Sequence, residues 1–164
     1  MPRVLDLEIG TRWLVLRIVA GAILSAVVFF FLSYVPSNLP GLICRFLPAD
    51  ISNVAAQILS GLVHPILPAL GAIVSATVFL EILFRKTKAY GPILIISGLV
   101  AVLYIYFAFQ GGVMVIHLPK GLTMGVQVSA YFDLTIIMVL VMLPALLTIL
   151  KGAVMAKSSS GRRS

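Results

Sequence analysis

Four apolar runs, each close to 20 residues long, decide what this chain can fold into: residues 13 to about 35, 65–84, 91–109 and about 129–150. An α-helix needs about 20 such residues to cross the roughly 30 Å hydrocarbon core of a bilayer, and in lipid a spanning segment must satisfy its own backbone. None of the runs shows the alternating pattern of a membrane β-barrel. Composition removes the soluble alternative. Charged residues are 10% of the 164, hydrophobic ones 61%, and mean hydropathy is +1.16, whereas a soluble domain carries about 25% charged residues. A globule this small has too little interior to hide so much apolar surface from water. The expected fold is an all-α membrane protein, a four-transmembrane-helix bundle forming one domain over residues 1–155. An outer amphipathic helix and an outer β-hairpin-like segment decorate it, and a disordered basic tail follows at 156–164.

Basic residues orient the spans. Arg3, Arg12 and Arg17 precede or open the first run; Arg85, Lys86 and Lys88 fill the tight connection after the second; Lys151, Lys157, Arg162 and Arg163 follow the fourth. That puts ten of twelve on one side and leaves Arg45 and Lys120 for the other. The positive-inside bias then predicts a multi-pass protein of the cell membrane with both termini and the middle loop in the cytoplasm. Trp13 and Tyr90 fall at inner ends, and Tyr34, Tyr104, Tyr106 and Tyr131 at or near outer ends, as rings anchored at headgroups do. The first run is too long for a signal peptide and 32–36 offers no small-x-small cleavage site, so it is read as a retained helix.

Two outer segments carry patterns of their own. Pro36, Pro40 and Pro48 punctuate residues 36–48; Ile51, Val54, Ala55, Ile58, Leu59 and Leu62 then follow helical spacing, with Asp50 as a candidate N-cap and Gly61 as a candidate stop. Residues 113–118 and 122–128 are β-prone runs around Pro119, Lys120 and Gly121, which predicts a hairpin. Val115, Ile116, Leu118, Leu122 and Met124 are too apolar for a solvated loop, and a pairing edge between subunits would cover them. Within the spans, Gly21 and Ser25, Ala22 and Ala26, Gly71 and Ser75, and Ala72 and Ala76 are each four apart, so the first two spans are expected to pack through small residues.

Intramembrane charge is costly and therefore informative. Arg17 and Glu81 fall at similar depth in antiparallel spans, which predicts a cross-helix ion pair; an i,i+4 pair of Glu81 with Arg85 and an ion or proton site are the alternatives. Asp133 is expected in the first turn of the fourth span, where the macrodipole favours a carboxylate, or in an outer polar cluster with His64, His117 and Lys120. Two histidines without paired ligand spacing or a third ligand do not make a metal site, and no cofactor is expected. Pro144 lies inside the fourth span and predicts a kink, read as structural or as a gate. The single cysteine, Cys44, excludes an intrachain disulfide and a CxxC pair. There is no P-loop, GxSxG or HExxH motif, and no aromatic-interleaved basic surface for nucleic acid.

Leu16-Arg17-Ile18 leading a glycine-containing first span, with Arg85-Lys86-Thr87 between the second and third, resembles the DoxX group of four-helix membrane proteins. That resemblance implies a quinone-linked redox subunit. Phe29-Phe30-Phe31-Leu32 stands where the group closes its first span with a small residue and a lysine, and the 111–128 segment is foreign to it. The expected function is therefore a structural or accessory subunit, packing in the lipid bilayer against itself or other membrane subunits. An oligomeric channel or transporter using Pro144, Glu81 and Asp133 is the alternative, and the DoxX-like role the second alternative.

Overall fold

The computed structural model of the chain describes residues 2–85, 87–118 and 128–160. The first helix, α1 (Pro2–Phe29), passes through a π-helical turn (Phe30–Tyr34) into α2 (Val35–Cys44). Then come α3 (Ala49–Leu62), α4 (Leu67–Phe84), α5 (Tyr90–Ala108), a short 3₁₀ turn (Gln110–Gly112), the strands β1 (Val113–Leu118) and β2 (Val128–Asp133), and α6 (Thr135–Ser160). Four helical stretches are long and apolar enough to cross a membrane: Trp13–Cys44, Leu67–Phe84, Tyr90–Ala108 and Thr135–Ser158.

The first of these differs most from expectation. Pro36 was expected to end the span, yet the helical path runs 32 residues to Cys44. A proline inside an α-helix clashes with the carbonyl four residues back and gives it no amide. The π-turn relieves both problems by inserting one residue, with the Val35 amide donating to the Phe30 carbonyl five residues back. The Leu32 carbonyl, to which Pro36 has no N–H to donate, accepts the Tyr104 hydroxyl from α5 at 3.1 Å. Beyond it, Ser37 Oγ donates to the Ser33 carbonyl (2.6 Å) and Asn38 Nδ2 to the Tyr34 carbonyl (2.8 Å). At 1.5 Å per residue the stretch is about 48 Å long, well over the roughly 30 Å hydrocarbon core. The α2 end must therefore stand clear of that core or the rod must tilt.

Against α2 folds α3. Its first turn opens on the Pro48 carbonyl, which accepts the amides of Ile51 and Ser52 at 3.0 Å each, so Pro48 takes the cap position expected of Asp50. Cys44 Sγ donates to the Ser52 carbonyl (3.2 Å) and ties the two helices. The helix then runs past Gly61, the expected stop, by one residue. Half-buried Ala55, Ile58 and Leu59 mark its inner face, and β1 packs against it.

In the segment between α5 and α6, β1 takes the expected residues, but its partner does not. β2 is Val128–Asp133, antiparallel to β1 with Val113 opposite Asp133 and Leu118 opposite Val128. It uses residues expected to begin the fourth span, because 128–133 alternates Val, Ala and Phe with Ser, Tyr and Asp, the two-residue period of a strand. Of the expected strand at 122–128 only Val128 is among the described residues, and Lys120 lies outside them. The fourth spanning helix consequently starts at Thr135 and continues to Ser160, through the first part of the expected tail; residues 161–164 lie outside the described ones.

The spanning helices pack in sequence order. α1 lies along α4, α4 along α5 and α5 along α6, and among the described residues any other pairing of these four is at most marginal. Small residues set the approach. A methyl group at Gly21 would lie 3.2 Å from the Phe79 ring, Ser25 Oγ donates to the Ser75 carbonyl (2.8 Å), and Gly71 abuts the Leu32 carbonyl. The Gly21/Ser25 and Gly71/Ser75 rows thus form the expected first-to-second contact, while Ala22, Ala26 and Ala76 stay exposed. The core is centred on α4 to α6, with Leu67, Leu70, Val74, Leu94, Met138 and Ala145 buried. Of an 18-residue apolar segment within the first stretch, only 6% is buried within the chain.

Candidate functional site

The residues singled out in the sequence fall into two separate regions. Where the first spanning stretch begins, midway along α1, and α4 finishes, a cavity of about 800 Å³ is lined by Trp13, Leu16, Arg17 and Ala20 on α1 and by Ile82 and Arg85 at the end of α4. It lies one turn beyond the Gly21 contact with Phe79 and Ile82, which fixes the rotation of both helices. Arg17 is half-buried, and Arg85, just past the last turn of α4, is exposed. Glu81 precedes Ile82 and so lies about 100° further round α4, half-buried. Among the described residues no ion pair joins Arg17 to Glu81 or Glu81 to Arg85. The structure brings together two guanidinium groups, an indole and aliphatic walls. Sequence reasoning found Arg17 but missed its association with Arg85, since depth can be counted along a helix and rotational phase cannot.

The residues of the expected outer cluster sit on different elements. His64, in the turn between α3 and α4, holds its ring 5.0 Å from that of Phe107 at a tilt of 42° and accepts the Ile66 amide on Nδ1 at 3.3 Å. His117 pairs in register with Ser129 near one end of the hairpin, and Asp133 with Val113 at the other. Four residues of strand put about 13 Å between those two positions. Among the described residues no group of three His, Cys, Asp or Glu side chains is placed to hold a metal ion.

Asp133 ends β2 rather than opening α6, yet it still serves the helix terminus: Oδ1 accepts the Thr135 amide at 3.0 Å. That backbone hydrogen bond, helped by the Thr135 side chain, holds its carboxyl below the usual carboxylate range. Stabilisation from a lowered carboxyl is complete above the unfolded-state value and is lost as pH falls through the folded-state value. The Thr135 amide proton resonance is therefore expected to shift as pH drops below the ordinary carboxylate range. In Asp133→Asn that shift should be absent, and an identical titration in both proteins would assign it to another group.

Pro144 lies in the interior of α6, which runs as one helix from Thr135 to Ser160 across it. Its ring is exposed, the next residue, Ala145, is buried, and Thr148 Oγ1 donates to the Pro144 carbonyl (2.9 Å). Tyr104, expected as a headgroup anchor, donates its hydroxyl to the Leu32 carbonyl between helices. The turn after α5 holds three consecutive residues at positive φ, Gln110 (51°), Gly111 (74°) and Gly112 (94°). Gly112 there accepts the Leu134 amide (2.7 Å), anchoring the hairpin to the start of α6. Comparison with models of known protein families, with curated proteins and with solved structures finds no match to this chain.

Proposed function

We propose that the chain is a non-enzymatic subunit of a membrane complex, inserted with both termini in the cytoplasm and assembling through its outer helix faces with copies of itself or with other membrane proteins. The observation that carries this reading is the open, serial packing of the spanning helices. Among the described residues α1 packs mainly on α4 and α6 mainly on α5, which leaves a flank at each end of the series. On the α1 flank the Ala22 and Ala26 row remains exposed beside large apolar side chains such as Leu24 and Phe31. Lipid tails are as apolar as leucine, so burial from water does not drive helix association in a bilayer. Close approach at small residues does, and this row offers a second helix the approach that Gly21 and Ser25 give α4.

Gentle extraction into native-lipid discs, followed by mass determination of the intact particle and identification of every co-purifying chain and ligand, tests it. The expected result is a discrete oligomer, or a stoichiometric complex with another membrane chain. A monomer with no companion at every protein concentration overturns the proposal. A closed ring of identical chains that passes ions in liposomes replaces it with the channel reading, and a retained quinone replaces it with the redox one.

A further inference from the structure

We infer that the cavity between the middle of α1 and the end of α4 is a binding site for an anionic glycerophospholipid. Arg17 and Arg85 would hold its phosphate, and Trp13 and Leu16 would lie beside its glycerol and upper acyl chain. Three properties of the cavity point there. Its polar groups are two guanidinium ions, fixed forks of N–H donors that match the paired oxygens of a phosphate. Neither has an ion-pair partner among the described residues. Glu81, the carboxylate nearest Arg85 along α4, leaves the pair net positive even when counted against both. The remaining walls are apolar: Trp13 is 62% exposed and Leu16 is 62% exposed, so the cavity opens on side chains that only lipid would cover in a bilayer.

Depth fits as well. Trp13 opens the first spanning stretch and Arg85 caps the second, so the cavity sits where hydrocarbon gives way to headgroups. An indole prefers that level, and basic pockets between spanning helices there recruit anionic headgroups. The long stem of Arg17, one turn inside the span, reaches along the apolar wall while its charge stays near the interface. A free anion would use the two arginines and leave the apolar walls unsatisfied. A zwitterionic lipid would use the walls but bring its own cation to the guanidinium pair. An anionic lipid alone satisfies both parts.

The test is native mass spectrometry of the intact chain released from micelles doped with phosphatidylglycerol or with phosphatidylcholine of identical acyl chains. The wild-type chain is expected to retain phosphatidylglycerol preferentially. Arg17→Gln and Arg85→Gln should each cut the preference about fivefold, the equivalent of about 1 kcal/mol per basic group. Arg17→Lys and Arg85→Lys, which keep the charge but lose the fork, should fall between the parent and the glutamine variants, and circular dichroism on each variant separates lost binding from lost folding. Lys151→Gln and Lys157→Gln, which remove charges outside the cavity, should leave it unchanged. Equal retention of the two lipids, or an undiminished preference in the doubly substituted Arg17→Gln, Arg85→Gln chain, overturns the inference. So does complete displacement of the lipid by excess inorganic phosphate, which would make this a site for a free anion.

Discussion

Gly71→Ala is expected to destabilise the protein by about 3 kcal/mol, at the upper end of what overpacking costs. A Cβ at Gly71 would run into the Leu32 carbonyl and lie 2.9 Å from the Ser33 amide nitrogen. Both are backbone atoms of the π-turn, so no side chain can rotate aside. The turn is itself held in place: Pro36 fixes the conformation that follows it, and the Tyr104 hydroxyl holds the Leu32 carbonyl from the other side. To admit the methyl group, α4 must move away from the first helix, which also pulls the Ser75 carbonyl from Ser25 Oγ. Gly61→Ala is the matched control. Gly61 lies within α3 with nothing inside 4 Å of an added Cβ, so alanine there should stabilise by roughly 0.5–1 kcal/mol through its helix propensity alone. Reversible denaturant titrations of both variants in bicelles read the two effects. A Gly71→Ala chain as stable as the parent would mean that the π-turn yields freely.

The number of the spans, the limits of the second and third, and the first strand were legible because each is written in local periodicity. The helix passing through Pro36 was not, because its continuation depends on a π-turn whose freed carbonyl is satisfied by Tyr104, 72 residues away in sequence. The second strand was missed for a different reason. Val128–Asp133 has a two-residue alternation, but it abuts an apolar run, so a hydropathy window absorbs it into the helix that follows. The site shows the same division. Arg17 stands out in sequence as a charge within an apolar run, and its depth relative to the second span can be counted. Whether it meets Glu81 or Arg85 depends on how α4 is turned, which Gly21 against Phe79 and Ser25 against Ser75 decide. Those contacts are anticipated by the four-residue spacing of small residues, but their angular consequence for a residue one step away is not.

The other large effect is expected at the antiparallel contact of α5 with α6, where the small residues are seven apart and escaped a search for fours. Gly91 and Gly98 on α5 face a row on α6 in which Met138, Ala145 and Gly152 are buried at seven-residue intervals, the repeat of left-handed helix pairs. A Cβ at Gly152 would lie 2.8 Å from the Gly91 carbonyl, and one at Gly98 would lie 2.9 Å from the Ala145 carbonyl. Gly152→Ala and Gly98→Ala should therefore each cost about 1–3 kcal/mol, whereas Ala153→Val, on an exposed position of the same turn, should cost far less. Gly91→Ala presses on the Gly152 carbonyl and the Ala156 amide, the same stretch of backbone that Gly152→Ala pushes away. Once either methyl group has parted the helices, the second meets less resistance, so the Gly91→Ala, Gly152→Ala double variant should lose less stability than the sum of the two single ones. Strict additivity in that cycle would mean that each glycine is relieved by bending its own helix, and that the contact does not open as a unit.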